Sequence, residues 1–232
     1  ENIFLAIFAG MATGWCIGFF IEKVAIKSLR GVARIASLIC TIGFSIFLIE
    51  IANVVFGAET KAVPSFFEQK AFSVGGADIV WYQIFLIGTA GAILLFLQFL
   101  VFKTKVGLAI RTVSLDFKTA GLMGINVDRT ISFAFSLGGS VAGIAGVLGS
   151  VYYNIVNPTM GNLQGLKSFA AAVFGGLTSI PGAILGGYLL AIIENFGVQI
   201  VSGGYRDIIG FVILVGFLLF RPQGLLGKKT AM

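Results

Sequence analysis

Three stretches of this chain, 3–21, 80–102 and 130–153, contain no Asp, Glu, Lys or Arg. An α-helix needs about 20 apolar residues to cross a hydrocarbon core of roughly 30 Å, so each run is long enough to span one. A fourth run, Ile35–Phe56, is interrupted once, at Glu50. Ser168–Ile193 is also long enough, but Gly175-Gly176-Leu177-Thr178-Ser179-Ile180-Pro181-Gly182 cuts it. Ile208–Phe220 reaches spanning length only if helix begins near Ser202 and Arg206 snorkels outward. No alternation of polar and apolar residues marks a β-barrel or strand. Composition agrees: 57% of residues are hydrophobic and 11% charged, too few charges to coat a water-soluble enzyme of 232 residues. The fold class is therefore all-α, a polytopic transmembrane helical bundle in a lipid bilayer, with one broken or re-entrant helix.

Several chemistries are excluded by small counts. The chain has no histidine, and Cys16 and Cys40 stand alone in apolar runs, so no metal cluster or disulfide framework is expected. Asn157-Pro158-Thr159 is no glycosylation acceptor because proline fills its middle place. Gly224-Leu225-Leu226-Gly227-Lys228-Lys229-Thr230 has only a superficial likeness to a phosphate loop. Pro222 and Lys229 occupy the places that need Gly and Ser/Thr. No cofactor, catalytic residue or nucleic acid is expected.

Lys and Arg counts orient the bundle. Segments 22–34, 103–129 and 221–232 hold 12 of the 16 basic residues, and segments 57–79, 154–167 and 201–207 hold four. The first set belongs in the cytoplasm by the positive-inside rule, which puts the C-terminus there as well. That parity requires the chain to turn back near Pro181. Its first leg, 168–178, would span only about 16 Å as helix.

Small residues mark where helices approach closely. Gly10, Gly14 and Gly18 form one ridge. Gly139, Gly143 and the pair Ala142 and Gly146 form another, and Gly182 and Gly186 a third.

Segment 103–129 is polar and basic, yet it contains a compact helical unit. Asp116 is placed to cap its start and Gly124 its end, with Phe117, Ala120 and Met123 on one face. Such a unit is either a solvated surface helix or a knob for a groove in a soluble partner. Glu50 and Glu194, accompanied by Asn53 and Asn195, are carboxylates within membrane runs. They either line an outward vestibule that attracts a substrate ammonium or sit hydrogen-bonded at the interface. The turn at Gly175, Gly176, Pro181 and Gly182 either flanks a permeation path or is a simple proline-marked loop. The loop 57–79, with Pro64, Phe66, Phe67, Glu59, Glu68 and Asp78, is a possible docking place for a soluble protein.

Several motifs together resemble the ABC importer permeases for branched-chain amino acids, the LivH type. They are Gly107-Leu108-Ala109-Ile110-Arg111, Asp116, Ala120 and Leu122-Met123-Gly124-Ile125-Asn126 with Asp128-Arg129. Downstream follow Asn157-Pro158, Gly165, Ala171-Ala172-Val173, the turn at 175–183 and Gly186-Gly187. Arg221-Pro222-Gln223-Gly224-Leu225-Leu226-Gly227 and the upstream Ile21-Glu22-Lys23-Val24-Ala25 complete the likeness.

The resemblance implies a single permease domain over 1–232 in a bacterial inner membrane. It implies pairing with a second permease subunit, identical or different, two cytoplasmic ABC ATPase subunits and a periplasmic substrate-binding protein. By that likeness 116–124 is a cytoplasmic coupling helix. Arg111 and Asp116 would fix it, Phe117, Ala120, Leu122 and Met123 would touch the ATPase, and Gly124 and Asn126 would end the unit. Family members begin with further helices bearing an Asn-Phe-Ala-His-Gly-like segment, which this sequence lacks. About two helices are therefore expected to be missing before Glu1. A permease for urea or short amides is the alternative within the class. A stand-alone secondary transporter using Glu50 and Glu194 is the alternative outside it.

Overall fold

The computed structural model describes residues 3–29, 34–64, 70–74, 77–176 and 179–200, with 208, 210, 212, 215–217, 219, 224 and 225 beyond them. Phe66, Phe67, Glu68, Arg206, Arg221, Lys228 and Lys229 lie outside the described residues, as does the side chain of Asp78. The chain forms two compact units, 1–159 and 160–232.

The first unit opens with α1 (Ile3–Ile21), a π-helical turn (Glu22–Ile26) and a 3₁₀ turn (Lys27–Leu29), then α2 (Arg34–Phe56). After short strands come α3 (Trp81–Lys103), α4 (Lys105–Leu115), α5 (Phe117–Leu122) and α6 (Val127–Tyr153). The uncharged runs thus become the long helices. Among the described residues, five helices are long and apolar enough to cross a membrane: Ile3–Ile26, Ile39–Phe56, Trp81–Lys103, Val127–Tyr153 and Ile180–Gln199. Many of their Phe, Leu, Ile and Val side chains are exposed, including Phe4, Phe8, Val54 and Leu95. That is the pattern expected of a surface solvated by lipid.

Helices α1 and α6 pack antiparallel along the first two glycine ridges. A Cβ on Gly14 would collide with Gly139 O, and one on Gly143 with Gly10 O. At Gly18 it would sit 2.5 Å from Phe135 O, so any larger residue forces the backbones apart. Gly146 has open space where a Cβ would stand, so the expected Ala142–Gly146 pair takes no part in this seam. At one end of the seam, Ile3, Tyr82 and Val151 form a small core with Ile7, Val63 and Phe85 around it. Tyr82 OH donates to Leu148 O there.

Strands do occur, against the expectation of none, but only as loop ornaments. β1 (Lys61–Ala62) pairs antiparallel with β4 (Ile155–Val156), and β2 (Lys70–Val74) with β3 (Ala77–Val80). The first ribbon joins the end of α2 to the end of α6, so 57–64 and 154–158 share one side. Lys27 and Asp128 form an ion pair at 2.8 Å, which joins 22–29 to 127–129 on the other side. Each pairing brings together segments that the charge counts put in one set.

The second unit contains α7 (Met160–Gly175) and α8 (Ile180–Ile200), with helical residues again at Ile208, Gly210, Val212, 215–217 and Leu219. The first leg is longer than the expected 168–178. Helix begins at Met160, so 16 residues span about 24 Å. The break falls where Gly175 and Pro181 placed it. Gly186 packs on Ala171 and Gly175, with a would-be Cβ 2.6 Å from Gly175 N, so the two legs run tightly together. Ala170, Phe174 and Leu190 form the core between them, with Phe217 and Leu225 against it.

Candidate functional site

The region between α3 and α6 carries the most distinctive surface. Thr104 Oγ1 accepts a hydrogen bond from Gly107 N at 3.1 Å and so starts α4, a helix the sequence did not single out. Arg111 places its guanidinium 5.3 Å from the Phe102 ring centre, which holds α4 to the end of α3. Asp116 ends α4 and begins α5, accepting from Lys118 N at 2.9 Å and from the Thr119 hydroxyl. That hydroxyl, then the Lys118 amide, holds the Asp116 carboxyl below the ordinary aspartate range.

The far end of α5 is closed by a Schellman motif. Ile125 N donates to Ala120 O and Gly124 N to Gly121 O, both at 3.1 Å. Gly124 has φ +80°, a conformation that suits glycine, and stands one place beyond the cap residue Met123. Asn126 Oδ1 then accepts from Arg129 N at 3.1 Å and starts α6. Two capped turns in succession leave this unit little freedom relative to α6.

Four large apolar side chains stand in the open along this unit, among the exposed Ser114, Lys118 and Thr119. Leu115 is 88% exposed and Leu122 89%, with Phe117 and Met123 also exposed. Ala120 departs from the expected contact set, because it is wholly buried and seats α5 instead of facing outward. Leu115 was missed by the sequence reading. It ends α4 directly before Asp116, so the cap that starts α5 also turns Leu115 outward.

The membrane carboxylates have different surroundings. Glu50 is exposed on α2 and accepts a hydrogen bond from Asn53 Nδ2 at 3.4 Å. Asn53 Oδ1 is buried without a hydrogen-bond partner among the described residues. Glu194 is 5% exposed and ion-paired with Lys167 Nζ at 3.0 Å across α7 and α8, while the neighbouring Asn195 is exposed. Lys167 was counted from sequence only as a loop cation. The helix start at Met160 brings it alongside α8, so the Glu194 charge is already compensated. Glu50 and Asn53 belong to the first unit, Glu194 and Asn195 to the second.

The glycine-proline turn is capped on both sides. Gly176 has φ +107° and donates to Ala172 O at 2.9 Å, and Ser179 Oγ accepts from Gly182 N at 3.1 Å. Pro181 lies in the first turn of α8, where its missing N–H costs nothing. Two separate sequence motifs meet here: Leu225 N donates to Phe174 O at 3.0 Å. In the first unit, Ala52, Phe56, Gly57, Glu59, Lys61, Val156, Asn157 and Pro158 line an open hollow of about 230 Å³.

A sequence profile described as branched-chain amino acid transport system / permease component matches residues 1–218. The high-affinity branched-chain amino acid transport system permease protein BraD of Pseudomonas aeruginosa is 38% identical over 215 residues, 91% of this chain and 70% of BraD. The corresponding permease protein LivH of Escherichia coli is 36% identical over 234 residues, 96% of this chain and 72% of LivH. The xylose transport system permease protein XylH of Escherichia coli is 32% identical over 104 residues, 42% of this chain and 26% of XylH. No solved structure matches the chain.

Proposed function

The chain belongs to the branched-chain amino acid transport system permease family, and on that premise we propose that it carries branched-chain amino acids through the membrane as the permease domain of an ATP-driven importer. It is a multi-pass membrane protein and a transport subunit, not an enzyme. The reading takes 1–232 as one permease domain that pairs with a second permease subunit, the same or different. Two ABC ATPases dock on the cytoplasmic side, and a periplasmic binding protein delivers the amino acid from outside.

The observation that carries the reading is the capped α4–α5 unit with Leu115, Phe117, Leu122 and Met123 turned outward. Fully burying such a side chain is worth about 1.5–3 kcal/mol, so covering four supplies on the order of 6 kcal/mol before association costs. This region lies in the segment that the charges assign to the cytoplasm, so lipid is not what covers it. An ATPase groove is. The cytoplasmic C-terminus is supported by the same counts.

In this mechanism ATP binding draws the two ATPases together, and each carries its docked α4–α5 unit with it. Asn126 and the Schellman motif pass the displacement into α6, and the bundle changes from outward to inward opening. Arg111 and Asp116 hold the unit's shape. Glu50 with Asn53 in the first unit, and Glu194 with Asn195 in the second, are the candidate translocation residues, and Gly175, Gly176, Pro181 and Gly182 the candidate broken-helix turn.

The test is uptake of radiolabelled leucine by vesicles holding the permease pair, the ATPases and the binding protein. Valine should compete, and urea and xylose should not. ATP-independent uptake, or competition by urea alone, overturns the assignment.

A further inference from the structure

The α1–α6 seam ends in a group that the transport reading leaves unused. Gly10, Gly14 and Gly18 follow one another every four residues on α1, and Glu22, four residues further on, opens the π-helical turn that continues it beside α6. On α6, Ser140, Ser136 and Ser132 step back at the same interval. Glu22 is 1% exposed, and its carboxylate accepts a hydrogen bond from Ser132 Oγ. Ser136 Oγ donates to Ser132 O at 2.8 Å.

Placing a carboxylate there is costly, because an apolar side chain would pack more cheaply at a buried membrane-edge contact. The local backbone is also unusual. Glu22 opens a π-helical turn, in which Lys27 N–H reaches back to Glu22 O. Such turns recur at functional positions. Ser132 lies one to two turns inside α6, directly after the caps that join α6 to α5. Glu22 therefore sits where the end of α1 and the turn leading to α2 meet the helix that carries the α4–α5 unit.

We propose that Glu22 is a positioning residue for energy coupling: its hydrogen bond with Ser132 makes the end of α1 follow α6 when the docked ATPase displaces α5. The proposal rests on the importer reading above. The glycine seam makes α1 and α6 move together along their length, and Glu22 prevents the cytoplasmic end from peeling apart where the load enters. The neighbouring Lys27–Asp128 pair is half-exposed on both sides and adds little, as solvent-exposed ion pairs generally do.

The experiment measures leucine taken up per ATP hydrolysed in vesicles containing the assembled transporter, beside recovery of ATPase with a tagged permease. Glu22→Ala should lower the uptake-to-hydrolysis ratio about tenfold, the scale of one coupling energy, while ATPase recovery stays unchanged. Glu22→Gln keeps an acceptor for Ser132 and should restore most of the ratio. Lys27→Ala should change it less than about twofold.

A purely structural role for Glu22 would reduce the amount of complex, so that uptake and hydrolysis fall together at constant ratio. That result overturns the proposal. If Glu22→Ala does not assemble, Ser132→Ala decides, since it removes one hydroxyl: a lowered ratio supports the pin and an unchanged ratio removes it. A wild-type complex that hydrolyses ATP without leucine uptake overturns the importer reading itself, and this assignment with it.

Discussion

The turn at 116–124 and the turn at 175–182 are built by the same local rules and finished in opposite ways. Each has a short polar residue accepting a backbone N–H at a helix start, Asp116 in one and Ser179 in the other. Each also has a glycine at positive φ just past a helix end, Gly124 and Gly176. The second turn is covered by its own chain, with Phe174, Gly175 and Gly176 buried and Leu225 hydrogen-bonded to Phe174. The first leaves Phe117, Leu122 and Met123 in the open, with Leu115 exposed directly before it. Local sequence rules shape a turn but do not decide whether it is an internal joint or a docking knob. That depends on what else reaches it.

Breaking the exposed turn should have the largest effect. Leu115→Ser combined with Leu122→Ser should weaken ATPase recovery about a hundredfold, at about 1.4 kcal/mol for each lost contact. Thermal unfolding of the solubilised permease should not move, because neither side chain is buried in this chain. A lowered unfolding temperature would mean the knob is covered from within and would erase the contrast. The covered turn should answer in reverse. Gly224 has φ +76°, and a Cβ there would lie 2.5 Å from Gly176 N and 2.9 Å from Val173 O. Gly224→Val should cost about 1–3 kcal/mol of stability, with ATPase recovery per folded molecule unchanged. Ser179→Ala removes only a cap and should cost about 1 kcal/mol, read as faster hydrogen exchange at the start of α8.

The long helices were legible because charge gaps of 19 or more residues have few other solutions in water or lipid. Asp116 and Gly124 were legible because capping acts within four residues. What failed was anything set by distant partners. Glu22 opens a basic segment in sequence and reads as part of a loop, yet Ser132, 110 residues away, makes it an interior group. Lys167 reads as a loop cation until Glu194, 27 residues on, takes its charge. Ala120 shares a helical stripe with Phe117 and Met123, but α5 stops at Leu122, so Met123 leaves the stripe while Ala120 seats the helix. Helix α4 was hidden because Lys105 and Arg111 interrupt its apolar residues.

The smallest expected effect uses acid to separate the two turns, because only one of their caps titrates. The Thr119 hydroxyl and the Lys118 amide stabilise the ionised Asp116 carboxyl and depress its pKa below the ordinary 3.8. A depressed folded pKa means the cap contributes fully above the unfolded value, and that contribution is lost as pH falls through the folded one. Hydrogen exchange at 117–122, corrected for the intrinsic rate, should therefore quicken as pH is lowered past 3.8. Exchange at 180–183 should not respond in that window, because the Ser179 hydroxyl does not titrate there. Asp116→Asn keeps a capping oxygen without a titrating proton, so it should hold α5 at neutral pH and abolish its acid response. If both turns loosen together in the wild type, the acid is acting on the bundle as a whole, and the Asp116 cap is not what distinguishes them.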